Sequence, residues 1–386
     1  MFKSTSDEPR PARIIALSAA LMFFYGFFLG GIQYVIADVA DAFHADPGSM
    51  GMLVSAQYMP VVIMPVLMGA LADRIGKRPV LAAFSLLFGI GSLTAGASHS
   101  VAAYVAGVLL TGAGYSVCES VSCAAMSDLN PAKAARWIAL TQGVLCAGAV
   151  LSPLLVRAMI GALGASWRIV FQICAGAFLL LALPVAMTRF PAPAAAPAER
   201  RARVGMLFAS SVFVCLFAAI LLYVGLENGF GYFVESLFAQ RLRESSGAFA
   251  ISLYWVGMAV SRFVFSLRTC ESRRMLTVCF ALAALLFILL ATIRTNWLAL
   301  ALCALIGAAY GPIWSTLVAE AAACFPGHSG SATGAMSAGC GMGGILYPIL
   351  MGFTAQYFNL QAAFVMLAVT AVAGAALCLR LPKKNG

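Results

Sequence analysis

A carboxyl group inside a long apolar segment is the first feature of this sequence that could do chemistry. Glu119 lies within an apolar stretch over residues 101–128, and an ionisable group in such surroundings points to a function. Residues three and four positions apart share one helix face, which puts Glu119 on a polar stripe with Gly112, Tyr115, Ser116 and Ser122. We predict that Glu119 takes up and releases a proton, because a desolvated carboxyl group can bind a proton near neutral pH. Glu227 is the next candidate, although the sequence places it near the outer end of its helix.

Aromatic and amide side chains in similar segments predict a pocket for a small molecule. Tyr310 and Trp314 share a helix face, and aromatic rings suit the apolar face of a sugar or of an amphipathic drug. Amides both donate and accept hydrogen bonds, as hydroxyl groups require. The predicted substrate-binding residues are Gln33, Tyr34, Tyr115, Gln142, Asn228, Tyr254, Tyr310 and Trp314. Plain packing and interhelical hydrogen bonds are the alternative roles for these side chains.

The sequence lacks the motifs of enzymes and metalloproteins. Its 11 cysteines are dispersed without a C-x-x-C pair, and its three histidines are isolated. It has no zinc-ligand spacing, nucleophile elbow or phosphate-cradling glycine loop. We therefore expect no catalytic residue, no metal and no cofactor. A membrane-embedded enzyme and a non-transporting receptor are the less favoured functional classes.

The candidate residues must be positioned by helices that cross a membrane. Of the 386 residues, 62% are hydrophobic and 10% are charged, and the mean hydropathy is +0.95. A soluble domain is nearer to about 45–50% apolar and about 25% charged, so this composition excludes a soluble, disordered or disulfide-stapled protein. A spanning helix needs about 20 apolar residues. We predict an all-α membrane protein with twelve transmembrane helices, at residues 13–37, 49–72, 79–97, 101–128, 134–160, 167–188, 204–227, 246–267, 275–293, 297–322, 329–356 and 360–381.

The positive charge of the chain is explained by membrane topology. The net charge is +10, but most lysines and arginines fall in loops on one side of the predicted helices. Cytoplasmic loops are enriched in these residues, which predicts that both termini are cytoplasmic, in the plasma membrane or bacterial inner membrane. The expected partners are a small-molecule substrate, protons and membrane lipids, without nucleic acid, and the expected state is a monomer.

An internal repeat divides the chain into two pseudo-symmetric six-helix bundles. One offset of 195 residues aligns Gly30 with Gly225, Gln33 with Asn228, Gly112 with Gly307, Tyr115 with Tyr310, Gly148 with Gly343 and Pro153 with Pro348. Parallel repeats with a substrate site between them are a transporter architecture. The predicted units are an N-terminal bundle over residues 1–190, a cytoplasmic linker over 191–203 and a C-terminal bundle over 204–386.

The loop between the second and third predicted helices carries the most specific motif. It reads Gly69-Ala-Leu-Ala-Asp73-Arg74-Ile-Gly76-Lys77-Arg78, which resembles the loop signature of the major facilitator superfamily. This resemblance implies the major facilitator fold. It also implies a conformational latch formed by Gly69, Asp73, Arg74, Gly76, Lys77 and Arg78, in which Gly69 allows close helix approach and Asp73 with its basic neighbours bridges the halves.

Within the superfamily, the sequence resembles the fucose permease-like sugar:proton symporters. The stretches that carry this resemblance are Gly112–Glu119, Tyr223–Tyr232, Ser252–Gly257 with Arg262, and Gly343–Gly352. Many proton-driven drug exporters have an arginine at the position of Val108 and a glycine pair at the positions of Val156 and Arg157. We expect proton-coupled symport of a small neutral solute such as a sugar, with efflux of drug-like amphipaths as the alternative. Arg262 is expected to anchor an inner charge network.

Overall fold

The computed structural model describes residues 11–129, 134–190, 204–267, 271–325 and 329–382. Within these ranges all regular elements are helical. The α-helices are α1 (Pro11–Ala42), α2 (Pro47–Ala56), α3 (Met64–Ile75), α4 (Lys77–Gly96), α5 (Val101–Leu129), α6 (Ala134–Leu163), α7 (Arg168–Met187), α8 (Val204–Phe208), α9 (Ser211–Ser236), α10 (Gly247–Ser266), α11 (Ser272–Thr292), α12 (Asn296–Tyr310), α13 (Ile313–Cys324), α14 (Ser329–Tyr357) and α15 (Leu360–Cys378). A 3₁₀ turn at Pro60–Val62 and a π-helix at Leu237–Leu242 complete the described elements.

Twelve segments cross the membrane, as predicted. Eleven helical segments in the described ranges are long and apolar enough to span a bilayer. The remaining crossing is made by α2 and α3 together, which run beside the length of α14. Pro47 lies against Gly352 near one end of α14, and Val66 lies beside Gly334 near the other. The predicted division at the linker, residues 191–203, lies outside the described residues and stays a prediction.

Prolines break two of the crossings. Pro60 and Pro65 lack the backbone N–H that a continuous helix needs, and they separate α2 from α3. Pro312 separates α12 from α13 in the same way. The second break also leaves the Gly311 carbonyl available, and it accepts a hydrogen bond from Arg262 Nε at 3.2 Å.

The seventh crossing differs from its predicted bounds. It was expected at residues 204–227, but α9 begins at Ser211 and continues through Ser236 into the π-helix. The polar run after Leu226 does not end the helix, because Asn228 and Tyr232 are buried between the two halves of the chain. Glu227 therefore lies well inside a span, and the prediction that it sits near a helix end was wrong.

The repeat predicted from sequence has a counterpart in packing. A β-carbon at Gly148 of α6 would collide with Phe23 O of α1, and one at Gly343 of α14 would collide with Leu221 O of α9. Gly112 packs against the Gln57 carbonyl, and its equivalent Gly307 packs against that of Tyr254. The N-terminal half and the C-terminal half thus form two pseudo-symmetric six-helix bundles of one design.

The two halves meet mainly on one side of the membrane. We call the side where α1 begins the terminal side and the opposite side the far side. Near the far side, Gly51 of α2 packs on the Pro348 carbonyl of α14, and Ser55 Oγ donates to Ile345 O at 2.7 Å. Ser252 Oγ of α10 donates to Val150 O of α6 at 2.8 Å. These close backbone contacts close the far side.

Candidate substrate and proton site

Three charged side chains from both halves face one another in the middle of the molecule. Glu119 comes from α5, Glu227 from α9 and Arg262 from α10, and all three are partly exposed. Charged groups inside spans face the bundle interior or a cavity rather than lipid, and the partial exposure of these three side chains favours a cavity between the halves. Since the far side is closed, this cavity opens to the terminal side.

The polar partners of these charges are few. Glu119 Oε1 accepts a hydrogen bond from Gln142 Nε2 at 3.1 Å. Arg262 donates from Nε to Gly311 O, and from Nη1 to Cys146 Sγ at 3.5 Å. Among the described residues, no carboxylate oxygen lies within 4.0 Å of the Arg262 nitrogens. Glu227 is near enough to act on Arg262 electrostatically without contact.

Arg262 lies near the end of α10 on the terminal side, as the sequence predicted. Its guanidinium donates to Gly311 O and lies near Glu227, and its expected role as the anchor of an inner charge network stays a prediction. The helix break before Pro312 leaves the Gly311 carbonyl as its main acceptor, and only the packing of α10 against α12 brings the two residues together. One signal in the sequence was nevertheless available, because an arginine within an apolar span is itself a candidate functional residue.

An aromatic wall from the C-terminal half borders the charges. Tyr254 and Tyr310 form an edge-on pair with ring centroids 6.0 Å apart, and Tyr223 meets Tyr310 at 5.5 Å. All three side chains are fully buried, and none of their hydroxyl groups has a hydrogen-bond partner. Trp314, beside Cys340, is partly exposed.

The N-terminal half contributes a matching tyrosine. Tyr115 stacks on Tyr25 with ring centroids 4.5 Å apart, and its buried hydroxyl also lacks a partner. Buried hydroxyl groups are almost always hydrogen-bonded. The unpaired hydroxyls of Tyr115 and of the aromatic wall are therefore groups that water or a bound solute can satisfy.

Two predicted substrate residues instead hold the halves together. Gln33 Oε1 accepts from Trp255 Nε1 at 3.0 Å, and Asn228 Oδ1 accepts from the Tyr58 hydroxyl at 2.6 Å. Gln33 and Asn228 are equivalent in the repeat, and each binds an aromatic residue of the other half. In this conformation both amides are occupied, so a role in binding substrate stays a prediction.

Sequence reasoning missed the rest of this interhalf contact. Gln57 Nε2 donates to the Tyr232 hydroxyl at 2.8 Å, and the hydroxyls of Tyr58 and Tyr232 lie 3.3 Å apart. The one sequence feature that could have indicated this contact is the polar pair Gln57-Tyr58 in an apolar segment. Tyr34 lies farther out on α1, where Glu235, Asp38 and Arg157 act on it electrostatically, and it is not brought to the central charges.

The predicted latch lies within one half in this conformation. Lys77 is buried and pairs with Asp128 of α5, and its Nζ lies 3.9 Å from Asp73 Oδ1. The Asp73 side chain is 69% exposed. A β-carbon at Gly69 would meet nothing within 4 Å, so the expected close helix approach is absent here.

The remaining latch residues lie at the tight turn between α3 and α4. Gly76 has a φ of +93°, a backbone conformation that favours glycine. Arg74 and Arg78 are exposed on either side of it. The latch function stays a prediction, and Asp128 is the partner that the sequence did not reveal.

Comparison with known families identifies the class. The Major Facilitator Superfamily matches residues 17–269 and 244–386 of this chain. The chain therefore belongs to the Major Facilitator Superfamily. It is a multi-pass membrane protein of a family of transporters.

Individual relatives are distant. The multidrug resistance protein MdtL of Escherichia coli O81 (strain ED1a) is 28% identical over 198 residues, 49% of each chain. Myo-inositol transporter 1 of Candida albicans (strain SC5314 / ATCC MYA-2876) is 22% identical over 177 residues, 44% of this chain and 32% of its own. The chain spans about half the length or less of these curated relatives.

Solved structures agree with the fold. A bacterial homolog of the human lysosomal transporter Spinster, inward-facing and unoccupied, has a TM-score of 0.78 at 15% identity, covering 96% of this chain and 97% of that one. The nucleoside transporter NupG (D323A mutant) has a TM-score of 0.77 at 16% identity, covering 96% and 99%. At these identities the likeness concerns the fold alone.

Proposed function

We propose that the chain is a proton-coupled symporter of a small hydroxylated solute such as a sugar, in the fucose permease-like branch, working by alternating access. The observation that carries this proposal is the placement of Glu119 and Glu227, one from each half, at a cavity that is closed on the far side. The bias of lysine and arginine supports a cytoplasmic terminal side, so this state is open to the cytoplasm of a bacterial inner membrane.

Protonation of the two carboxyl groups changes the force between the halves. When both are ionised, like charges in a cavity of low dielectric constant repel strongly. Protonation removes this repulsion and lets the halves close around the solute. A carrier of this kind couples proton and solute because each stabilises the same closed state.

Solute recognition uses the aromatic wall and the unpaired hydroxyls. Tyr310 and Trp314 offer ring faces to an apolar sugar surface. The hydroxyls of Tyr115, Tyr223 and Tyr254 have no partner in the structure and can bond to solute hydroxyls. The similarity to a protein named as a myo-inositol transporter supports a hydroxylated solute.

The test uses the purified full chain in proteoliposomes that contain a pH-sensitive dye. A panel of neutral and charged sugars is added outside, and acidification of the lumen is recorded together with uptake of the labelled sugar. Solute-dependent proton uptake supports the proposal. Solute uptake without proton movement contradicts the coupling, and no uptake of any hydroxylated solute, neutral or charged, contradicts the symporter.

Efflux of drug-like amphipaths is the second candidate, favoured by the similarity to MdtL. The probe is ethidium, a hydrophobic fluorescent cation, loaded into cells that express the chain. Faster energy-dependent loss of ethidium than in cells carrying the Glu119→Gln variant supports export. Equal loss in both contradicts it.

A further inference from the structure

Arg262 carries a positive charge that the protein itself leaves without a contacting counter-ion. A guanidinium has five N–H donors and is never deprotonated in proteins. Among the described residues, two donors make hydrogen bonds, one to the Gly311 carbonyl and one to the Cys146 sulfur, which is a weak acceptor, and the Tyr223 hydroxyl lies near the guanidinium. The remaining donors face the cavity, since the side chain is partly exposed.

Apart from the two nearby carboxyl groups, the described groups around Arg262 are neutral or weak acceptors. The Tyr223 hydroxyl of α9 lies near both the guanidinium and Glu227, although neither is close enough in this conformation for a normal hydrogen bond. The hydroxyls of Tyr254 and Tyr310 are buried and unpaired in the same aromatic wall. Cys146 comes from α6, and Gln142 on the same helix is occupied by Glu119.

The two nearby carboxyl groups cannot neutralise Arg262 throughout the transport cycle. Glu227 of α9 and Glu119 of α5 both act on this region, without contacting the guanidinium. In the proposed cycle both bind protons before closure, and the closed cavity then contains an uncompensated cation. Enclosing an unpaired charge is strongly unfavourable, so the closed state requires an anion from elsewhere.

We propose that the solute supplies this anion. This inference rests on the proposed symport. The substrate is a small hydroxylated organic monoanion. Its carboxylate binds the free donors of Arg262, and its hydroxyls bond to the unpaired tyrosine hydroxyls. A neutral sugar leaves the guanidinium uncompensated on closure. A cation is repelled by Arg262 in every protonation state of the site, because arginine keeps its charge.

The same charges explain release. Ionisation of Glu119 and Glu227 makes the site, including Arg262, net negative, and this repels a bound monoanion. Protons and solute therefore leave on the same side.

The test compares sugars that differ only in charge. Thermal stability of the purified full chain at pH 6 is measured with glucose, glucuronate and glucosamine, with galactose, galacturonate and galactosamine, and with gluconate and lactate. The shift in melting temperature against ligand concentration gives an apparent Kd. We expect at least one acid to bind about tenfold or more tightly than its neutral counterpart, because charge-assisted hydrogen bonds exceed neutral ones.

Variants locate the effect. Arg262→Gln should weaken binding of the acid about tenfold or more, while Arg262→Lys, which keeps the charge and loses the planar fork, should weaken it less. Arg157→Gln is the matched control, because Arg157 stacks on Phe249, with its Cζ 4.8 Å from the ring centroid, away from the central charges. It should bind the acid as the wild type does. Gel filtration checks that each variant is folded. The comparison of acids with neutral sugars is made on the wild-type chain and does not depend on any variant.

Three results overturn the proposal: equal or tighter binding of the neutral sugars, acid binding that survives in folded Arg262→Gln, or no binding by any acid of the panel. The proposed symport fails separately. Proton-coupled uptake of a neutral sugar that does not depend on Arg262 supports the proposed symport and contradicts an anionic substrate. Uptake of an acid without proton movement contradicts the proposed symport.

Discussion

The two halves of this transporter are alike where they pack and different where they do chemistry. Gly148 and Gly343 perform the same task in equivalent helix pairs, and Tyr115 and Tyr310 retain their residue type. At the same offset, Glu119 corresponds to Trp314. Close helix approach constrains equivalent positions in the same way, whereas a single substrate cannot present the same groups to both walls of its cavity.

The other charges follow the same rule. Glu227 corresponds to Ile32 in the first half, and Arg262 corresponds to Leu67. The C-terminal half thus supplies the permanent cation, one carboxylate and three of the four unpaired tyrosine hydroxyls of the described residues, while the N-terminal half supplies the second carboxylate and its amide partner. A cavity with unlike walls binds a solute in one orientation, and one carboxylate on each wall lets protons control the approach of the walls.

The largest expected effect comes from removing the charge of Glu119. Glu119→Gln imitates the protonated carboxyl, so uptake driven by a pH gradient should fall to background, while exchange of labelled for unlabelled solute persists. Both are measured in proteoliposomes. Glu244→Gln, in an exposed position near the far side, should transport as the wild type does. Accumulation in Glu119→Gln contradicts its role and makes Glu227 the next candidate.

Two carboxylates near Lys77, Asp128 of α5 and Asp73 of the loop motif, should have different roles. Asp128→Asn leaves the buried Lys77 without its close partner and should lower the free energy of unfolding by about 3 kcal/mol. Asp73→Asn should leave thermal stability nearly unchanged, because Asp73 is 69% exposed, yet slow transport if it serves as a latch. Wild-type uptake by Asp73→Asn removes it from the mechanism.

Packing glycines test whether the halves share one design. Gly148→Ala and Gly343→Ala each force a β-carbon into a neighbouring backbone carbonyl, and overpacking costs about 1–3 kcal/mol. We expect similar decreases in melting temperature for both. Gly176→Ala is the control, since its β-carbon would meet nothing within 4 Å. A decrease in only one half shows that the symmetry does not extend to energetics.

The paired interhalf hydrogen bonds should contribute equally to far-side closure. Tyr58→Phe removes the bond to Asn228 and the longer contact with the Tyr232 hydroxyl, and Trp255→Phe removes the bond to Gln33. A net value of about 1 kcal/mol for each amide bond gives about a fivefold shift towards the far-side-open state. Spin labels at Met52 and Tyr357, in a background without native cysteines, report the opening. Trp297→Phe, at an exposed tryptophan, should change nothing, and unequal shifts show that one bond dominates.

The smallest effect concerns the contact at the far rim. Asp46 accepts from Ser49 N at 2.7 Å and from Gln356 Nε2 at 3.1 Å. The Ser49 backbone hydrogen bond, assisted by its hydroxyl and by Gln356, lowers the pKa of Asp46 below its ordinary 3.8. The contribution of ionised Asp46 to far-side closure is therefore complete above its ordinary pKa of 3.8. It is lost as the pH falls through the lower pKa of Asp46 in the folded state.

The same pair of spin labels measures this dependence. Far-side closure should be independent of this group from neutral pH down to about 4 and weaken below it. Asp46→Asn should abolish that acid-dependent step. If the loss of far-side closure at acid pH persists in Asp46→Asn, another group is responsible for it.

The sequence by itself determined the class of this protein. Length, apolar content and the repeat at one offset predicted the twelve crossings and their two bundles, because a bilayer admits few alternatives to long apolar helices. Glu119 was identified as a site candidate for the same reason, since an ionisable group in an apolar helix stands out against its neighbours.

Only the tertiary structure decided which candidates meet. The depth of Glu227 depended on how far α9 continues, which local composition does not reveal when a polar run is buried by the other half. The hydrogen bond from Arg262 to the Gly311 carbonyl, 49 residues further along the chain, depended on how α10 packs against α12. Gln33 and Asn228 were assigned to substrate, yet they bond across the interface. Such contacts join residues distant in sequence, and sequence spacing specifies only the faces of single helices.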